Sequence, residues 1–422
     1  MATNTLLAGE RFNVTIPSTI TSIIFTDEVV PEGYSLVSGN DVFVTNTYID
    51  VSAEQDGSVV AWLDTDGVTY KVSTQISEVK ILFNEDCSSM FANKSSLTSI
   101  SFNNVATKAT KNMSKMFYIC SSLQSVDVGQ FDTSNVTNMS RMFRHCHALE
   151  EIIGLDKWDT SNVVIMSEIF STNPGYSVSN HLKVLDLSSW DTSKVTDMSG
   201  MFQSSRDLGS IRFGEGWDTS NVVNMTNMFN KCLSLIELDV SGWNTAKVAN
   251  MSNMFKACPL LTNLDISGWN TASAANMKSM FDECQRLEKI TFGSQFNFNG
   301  NGTASCVLPT QSNTYIDGAD GNWYTLDGTA YAPTEIPNLT AATYYASASL
   351  AKHECNKNKL IDLNGLDTYH SENIKYINDV IKTAKIAFIL NSSTEGSTKK
   401  FKLTIDDNGT LIVSEIVVEE VE

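Results

Sequence analysis

The 422-residue sequence contains no run of 18 apolar residues, so no transmembrane helix and no membrane insertion are expected. It is short of base: 29 Lys and Arg stand against 48 Asp and Glu, a net charge of −19. Nucleic acid is therefore not an expected partner, because phosphate binding needs a Lys/Arg surplus. An anionic membrane surface is excluded on the same ground. Residues 1–11 lack the basic n-region and long apolar h-region of a signal peptide. No lipid-attachment Cys stands near the start and no hydrophobic anchor at the end. There is no nucleophile elbow, HExxH or P-loop, so neither an enzymatic role nor a cofactor is expected. The eight cysteines, Cys87, Cys120, Cys146, Cys232, Cys258, Cys284, Cys306 and Cys355, form no CxxC pair.

What is present is a repeat. Aligned on Phe91, Phe117, Phe143, Phe170, Phe202, Phe229, Phe255 and Phe281, the chain gives intervals of 26, 26, 27, 32, 27, 26 and 26 residues. Five cysteines fall three positions after these Phe residues, so their spacing follows the repeat and not a metal or disulfide plan. A Leu-x-x-Leu-Asp-Leu pattern follows, clearest at Leu182–Leu187 and Leu235–Val240, and reads as a short strand. An aromatic comes next (Phe131, Trp158, Trp190, Trp217, Trp243, Trp269), then Asp-Thr-Ser or Asn-Thr-Ala.

The polar triplet has the composition of a helix N-cap. The apolar residues after it, such as Val195, Met198, Met201 and Phe202, have the spacing of one helix face. The expectation is an α/β solenoid of eight strand–helix repeats of about 26 residues, in which stacking builds a core that no single repeat can bury. Its core set is Phe117, Phe143, Phe202, Phe229, Phe255, Phe281, Leu185, Leu238, Leu264, Trp190, Trp217 and Trp243. The expected organisation is an N-terminal β-domain at 1–50 and a β-cap at 51–86. The solenoid follows at 87–296, then a second β-cap at 297–343. Residues 344–422 form an assembly module, with a helix at about 371–385 and a hairpin turning at Asp407-Asn-Gly409. The apolar tail Leu411–Val418 suggests self-association as a dimer or trimer, since a hairpin with two apolar faces is not stable alone.

Several residues invite a chemical reading. Asp127, Asp186, Asp239 and Asp265, with Arg212 and Thr291 in equivalent slots, lie between inward apolar residues and should face outward on the concave side. They suit a cation or glycan site, or a solvated strip bonded to the adjacent turn. The repeated Cys could form a zinc or disulfide ladder, or be buried as small hydrophobes. Helix packing would spread neighbours on that side to about twice the strand spacing, too far for a disulfide, which favours burial. His145-Cys146-His147 and the pair His353 and Cys355 could touch a metal, although none is expected. The Trp series could stack sugars or pack the core; its fixed slot favours the core.

The phrase Trp190-Asp-Thr-Ser-Lys-Val-Thr-Asp-Met-Ser-Gly-Met-Phe202 resembles the repeat signature of the BspA-like leucine-rich-repeat surface proteins, across about residues 80–296. Gly57–Asp64 and Asn322–Gly328 with Ile336-Pro337 resemble the β-elements that flank such arrays. Leu360–His370 with the segment after it, and Ser392–Ile405 with Asp406–Gly409, resemble segments of tailed-phage structural proteins. The first resemblance implies adhesion at bacterial surfaces. The second implies a virion protein (fibre, head decoration or tail-associated adhesin) released by lysis without a signal peptide. Its expected partners are other virion proteins and a bacterial surface glycan or protein. A bacterial cell-surface adhesin and a purely structural virion spacer are the alternatives.

Overall fold

The computed structural model describes residues 3–37, 46–172, 179–301 and 305–361, and the strands 388–391, 400–405 and 411–416, with side chains described as far as residue 355. The chain divides into two compact units, Met1–Ala351 and Lys352–Glu422. The boundaries expected at 50, 86, 296 and 343 all fall inside the first, whose hydrophobic core runs without interruption from Leu6 to Ala346.

The repeat is a stack of rungs, but the expected helices are absent. Among the described residues of 87–296 there is no α-helix, only a short 3-10 turn at Leu155–Lys157. The hydrogen bonds give the reason. In the second rung the N–H groups of Met113, Lys115, Phe117 and Ile119 donate out of the rung, to the carbonyls of Asn138, Ser140, Met142 and Arg144, at 2.8–2.9 Å. The N–H groups between them close local turns: Met116 donates to Met113, Tyr118 to Lys115 and Cys120 to Phe117. A helix would satisfy every N–H within itself; here alternate donors are committed to the next rung. The chain zigzags because Lys115 (φ 56°) and Ile119 (φ 59°) adopt left-handed backbone, as do Arg141, His145, Asn227, Lys231, Asn253 and Ala257 in the same slots. Each such non-Gly residue costs about 1–2 kcal/mol, which the bonds between rungs offset. Val195, Met198, Met201 and Phe202 are all fully buried, as a helix face would be. The i, i+3 spacing of these residues serves either backbone.

This turn face is continuous. Parallel bridges link Asp86, Asn112, Asn138, Ile165, Asp197, Asn224, Asn250 and Asn276 in succession. Inside it, the eight Phe rings of the repeat stack face to face, with centroids 5.1–6.0 Å apart and planes within 18°. The strand face is built differently, from separate parallel pairs. Ser125–Asp127 joins Glu151–Ile153, Val184–Leu187 joins Ser210–Phe213, and Asn263–Ile266 joins Lys289–Phe292. Residues 235–240, the clearest strand pattern in the sequence, bury Leu235, Leu238 and Val240 but form no strand. Inward alternation supplies core residues whether or not a ladder forms beside them.

The two ends are closed by different means. At the N-terminal end, Ser22–Thr26 lies parallel between Thr69–Ser73 and the first repeat strand, Ser99–Ser101. The helix Gly9–Asn13 covers the first turn rung. There the Gly9 N–H donates to Asp86 O, and Asn13 Nδ2 lies 2.9–3.2 Å from the carbonyls of Ser89, Met90 and Ala92. A Cβ on Gly9 would sit 2.1 Å from Ser88 O, so only glycine fits that contact. At the C-terminal end, Ala342–Tyr345 pairs antiparallel with Lys289–Phe292. Before it, residues 296–301 form a partial ninth rung that the sequence reading placed beyond the array. Its Asn297 carbonyl accepts from Thr271 Oγ1, and the Asn301 N–H donates to Ala274 O.

The helix Ala348–Ile361 follows. Phe388–Asn391, Lys400–Ile405 and Leu411–Ile416 then form an antiparallel sheet in that order. The expected helix at 371–385 and the turn at 407–409 lie outside the described residues.

Candidate functional site

The expected ligand row occupies the strand face. Parallel register sets Asp127 beside Ile153, Asp186 beside Arg212, and Asp265 beside Thr291. The four aspartates and Arg212 are exposed. Each aspartate accepts, through one carboxylate oxygen, the N–H two residues on, from Gly129, Ser188, Ser241 and Ser267, at 2.9–3.1 Å. The Ser188 hydroxyl and N–H hold the Asp186 carboxyl below its ordinary range, and Arg212 Nη1 lies 3.5 Å away. The row therefore bonds its own turns and still offers carboxylate to solvent. Thr291 departs from it: its hydroxyl lies 3.0 Å from that of Thr343, half-buried beside the capping strand.

One cleft along this face went unread in the sequence. It is lined by Glu150, Glu151, His181, Lys183 and Val184, with His181 Nδ1 2.8 Å from Asp207 Oδ2. It lies where the strand pair ending at Ile153 gives way to the pair beginning at Val184. Repeat alignment hides it, because His181, Lys183 and Val184 sit in the 32-residue interval, the one that departs most from the repeat.

The cysteines take a third role. Sγ of Cys120, Cys146, Cys232, Cys258 and Cys284 donates to the carbonyl of the Phe one rung back, at 3.0–3.2 Å. Where the slot holds Ser205, its hydroxyl makes the same bond, to Phe170 O at 2.9 Å. The slot thus selects a small buried donor. Burial pushes the Cys120 and Cys284 thiols up to about 12, so they are poor nucleophiles. The expectation that this side fans apart is corrected: with turns in place of helices, the rungs stay at hydrogen-bonding separation.

The polar triplets also act between rungs. Asp132 accepts from the Ser134 N–H in a local turn, while buried Thr133 donates to Asp159 O of the next rung. The same Thr bond recurs from Thr107 to Thr271. These triplets do not cap helices. The tryptophans of the series are buried; Nε1 of Trp158, Trp190 and Trp269 donates to a backbone carbonyl of the preceding rung.

His145 and His147 sit with ring centroids 5.7 Å apart. His145 Nδ1 and His147 Nε2 are buried without a partner among the described residues. Burial, with Arg144 and His147 alongside, pulls the His145 imidazole down to about 4. Cys146 points away, to Phe117 O. His353 and Cys355 are two residues apart on a helix, a spacing that does not share a face. Among the described residues no three His, Cys, Asp or Glu side chains are grouped to hold a metal ion.

The sequence matches a family described as "Mycoplasma protein of unknown function, DUF285" twice, over residues 85–181 and 173–293. Together the matches run from 85 to 293, just under half of the 422 residues. The array is BspA-like. No curated protein matches the chain. The BspA-like region coincides with the turn-face ladder, Asp86 to Asn276, so the similarity follows the repeat and not its flanks.

Proposed function

We propose that this is a non-enzymatic binding and display protein of a phage particle, a fibre, head decoration or tail-associated adhesin. Its rung array presents the strand face to a glycan or protein on a bacterial or mucosal surface. The observation that carries the reading is the exposed row Asp127, Asp186, Arg212, Asp239 and Asp265, held on a stack with one buried core. A rigid scaffold with polar groups at regular intervals suits a repeating ligand. The C-terminal segments that resemble tailed-phage structural proteins support the particle, and the antiparallel sheet ending at Ile416 is the element proposed for attachment or for a dimer or trimer. Among the described residues no helix is long and apolar enough to cross a membrane.

Mass spectrometry of purified phage particles tests the location. Glycan-array binding by the full chain tests the ligand, and should weaken in an Asp186→Asn, Asp239→Asn, Asp265→Asn variant. Presence in particles without binding to any surface ligand would leave the structural spacer. Absence from particles, with the protein found on bacterial cells, would favour a BspA-type cell-surface adhesin.

A further inference from the structure

The cleft at Glu150, Glu151, His181, Lys183 and Val184 has a volume of about 570 Å³, within the range of small-ligand sites. Its polar groups are largely unspent. Among the described residues Glu150, Glu151 and Lys183 have no ion-pair partner. His181 is fixed twice: its backbone N–H donates to Leu149 O at 2.9 Å, and its ring Nδ1 lies 2.8 Å from Asp207 Oδ2. With Nδ1–H donating to that carboxylate, the neutral ring keeps Nε2 as an acceptor. The outward side chains change character at the same place. In the paired strands Ser125, Glu151, Ser210, Asn263 and Lys289 share one outward slot, and Val184 is its only aliphatic member. Ile153 likewise stands where Asp127, Asp186 and Asp265 stand elsewhere. Val184 is 65% exposed and Ile153 44%. An aliphatic strip thus interrupts the charged row at the cleft.

We infer that this cleft binds one amino sugar, a hexosamine unit with a free amine in a surface glycan. The inference rests on the strand face being the ligand face. The ligand must bring the positive charge that the cleft lacks, because Glu150 and Glu151 outnumber Lys183 and Asp207 is engaged by His181. An ammonium supplies it between the two glutamates. The sugar hydroxyls donate to the remaining carboxylate oxygens and to Nε2 of His181, and accept from Lys183. Its C–H face covers Val184 and Ile153, removing apolar surface from water. A basic peptide fits less well. Its hydrophobic anchor needs a concave apolar pocket, whereas Val184 projects into solvent.

The probe is the β-1,4-linked disaccharide of glucosamine, titrated calorimetrically into the full chain at physiological salt, where distant surface charges are screened. Saturable binding is expected, at least tenfold tighter than for the N-acetylated disaccharide. Glu150→Gln with Glu151→Gln should weaken it at least tenfold, and Val184→Ser severalfold. Asp265→Asn should leave it unchanged, since Asp265 is three rungs from Val184, about 14 Å at the usual strand spacing. Equal binding of the N-acetylated sugar would overturn the inference, as would equal binding of a lysine dipeptide. Binding lost with Asp265 and kept without the glutamates would overturn it in favour of the row. No binding of the disaccharide, while other sugars bind on a glycan array, would overturn it and leave the strand-face reading standing. No binding of any glycan would sink both.

Discussion

The two faces of a rung obey different rules. On the turn face every rung is bonded to the next through backbone, and the bonds run the length of the array. On the strand face the same rungs form ladders only in pairs, with single bonds such as His181 N–H to Leu149 O and Thr262 N–H to Ile236 O between them, and the sixth forms no strand. Yet the strand side carries the better-known sequence pattern. Cohesion thus comes from the face whose residues look helical, while the face that looks like a sheet is left mainly to present side chains. Backbone bonds tolerate almost any exposed residue, and the turn face accordingly varies between Lys115, Arg141, Glu168 and Asn227 in one slot.

The sharpest test of this contrast is a pair of substitutions. Phe202→Ala opens the ring stack between Phe170 and Phe229 and should cost about 3–5 kcal/mol. Asp239→Ala, on the strand face, should change stability by no more than about 0.5 kcal/mol. Chemical denaturation measures both, and similar losses would erase the distinction between faces. The second test is acid. His145, on the turn face, is held at about 4 when folded, against 6.5 for a free imidazole. Below 6.5 the unfolded chain binds a proton that the folded chain refuses, so stability is lost as pH falls from about 6.5 towards 4. Melting temperature against pH should show this slope, and His145→Phe should flatten it over that window.

A third test addresses the bond from the thiol. Cys258→Ser keeps a donor for Phe229 O, whereas Cys258→Ala removes it; the alanine variant should be less stable than the serine variant by about 1 kcal/mol. Iodoacetamide should leave all five slot cysteines unmodified until the protein unfolds. The smallest effect has the most informative sign. Lys115 has φ 56° and is exposed. In a helix Lys115→Gly would cost up to about 1 kcal/mol; in a left-handed turn it should stabilise by up to about 1 kcal/mol. A lower melting temperature for this variant would restore the helix.

Period and core were legible, because burial depends on spacing, and the spacing of Val195, Met198, Met201 and Phe202 is shared by a helix and by a chain of tight turns. The direction of the N–H groups was not, since no side chain reports it directly. One indirect signal existed. The slot that turned out left-handed holds Gly200, Asn227 and Asn253, residue types that tolerate positive φ and that a helix interior disfavours. Phe296-Asn297 likewise echoes Trp-Asn-Thr and could have announced the ninth rung. The strand-face aspartates were placed on the correct side by alternation alone, but Thr291 was misjudged. Its neighbour Thr343 lies 52 residues away, and no local pattern reveals a capping strand.

The regular recurrence of the turn-face bonds also bears on how such a gene can change length. Each rung meets its neighbours through the same set of backbone groups, several N–H groups donating to the rung after and one, as at Thr137, Val164, Val223 and Ala249, to the rung before, whatever its side chains. A duplicated or deleted unit of about 26 residues therefore meets compatible chemistry at both new junctions, with no interface to redesign. The terminal closures have no such freedom: Gly9 and Asn13 can serve only the leading end, and Gln311, whose Nε2 donates to the carbonyls of Cys284 and Leu287, only the trailing one. Copy number is then the easily varied trait of this lineage, and the ends are where variation should be arrested.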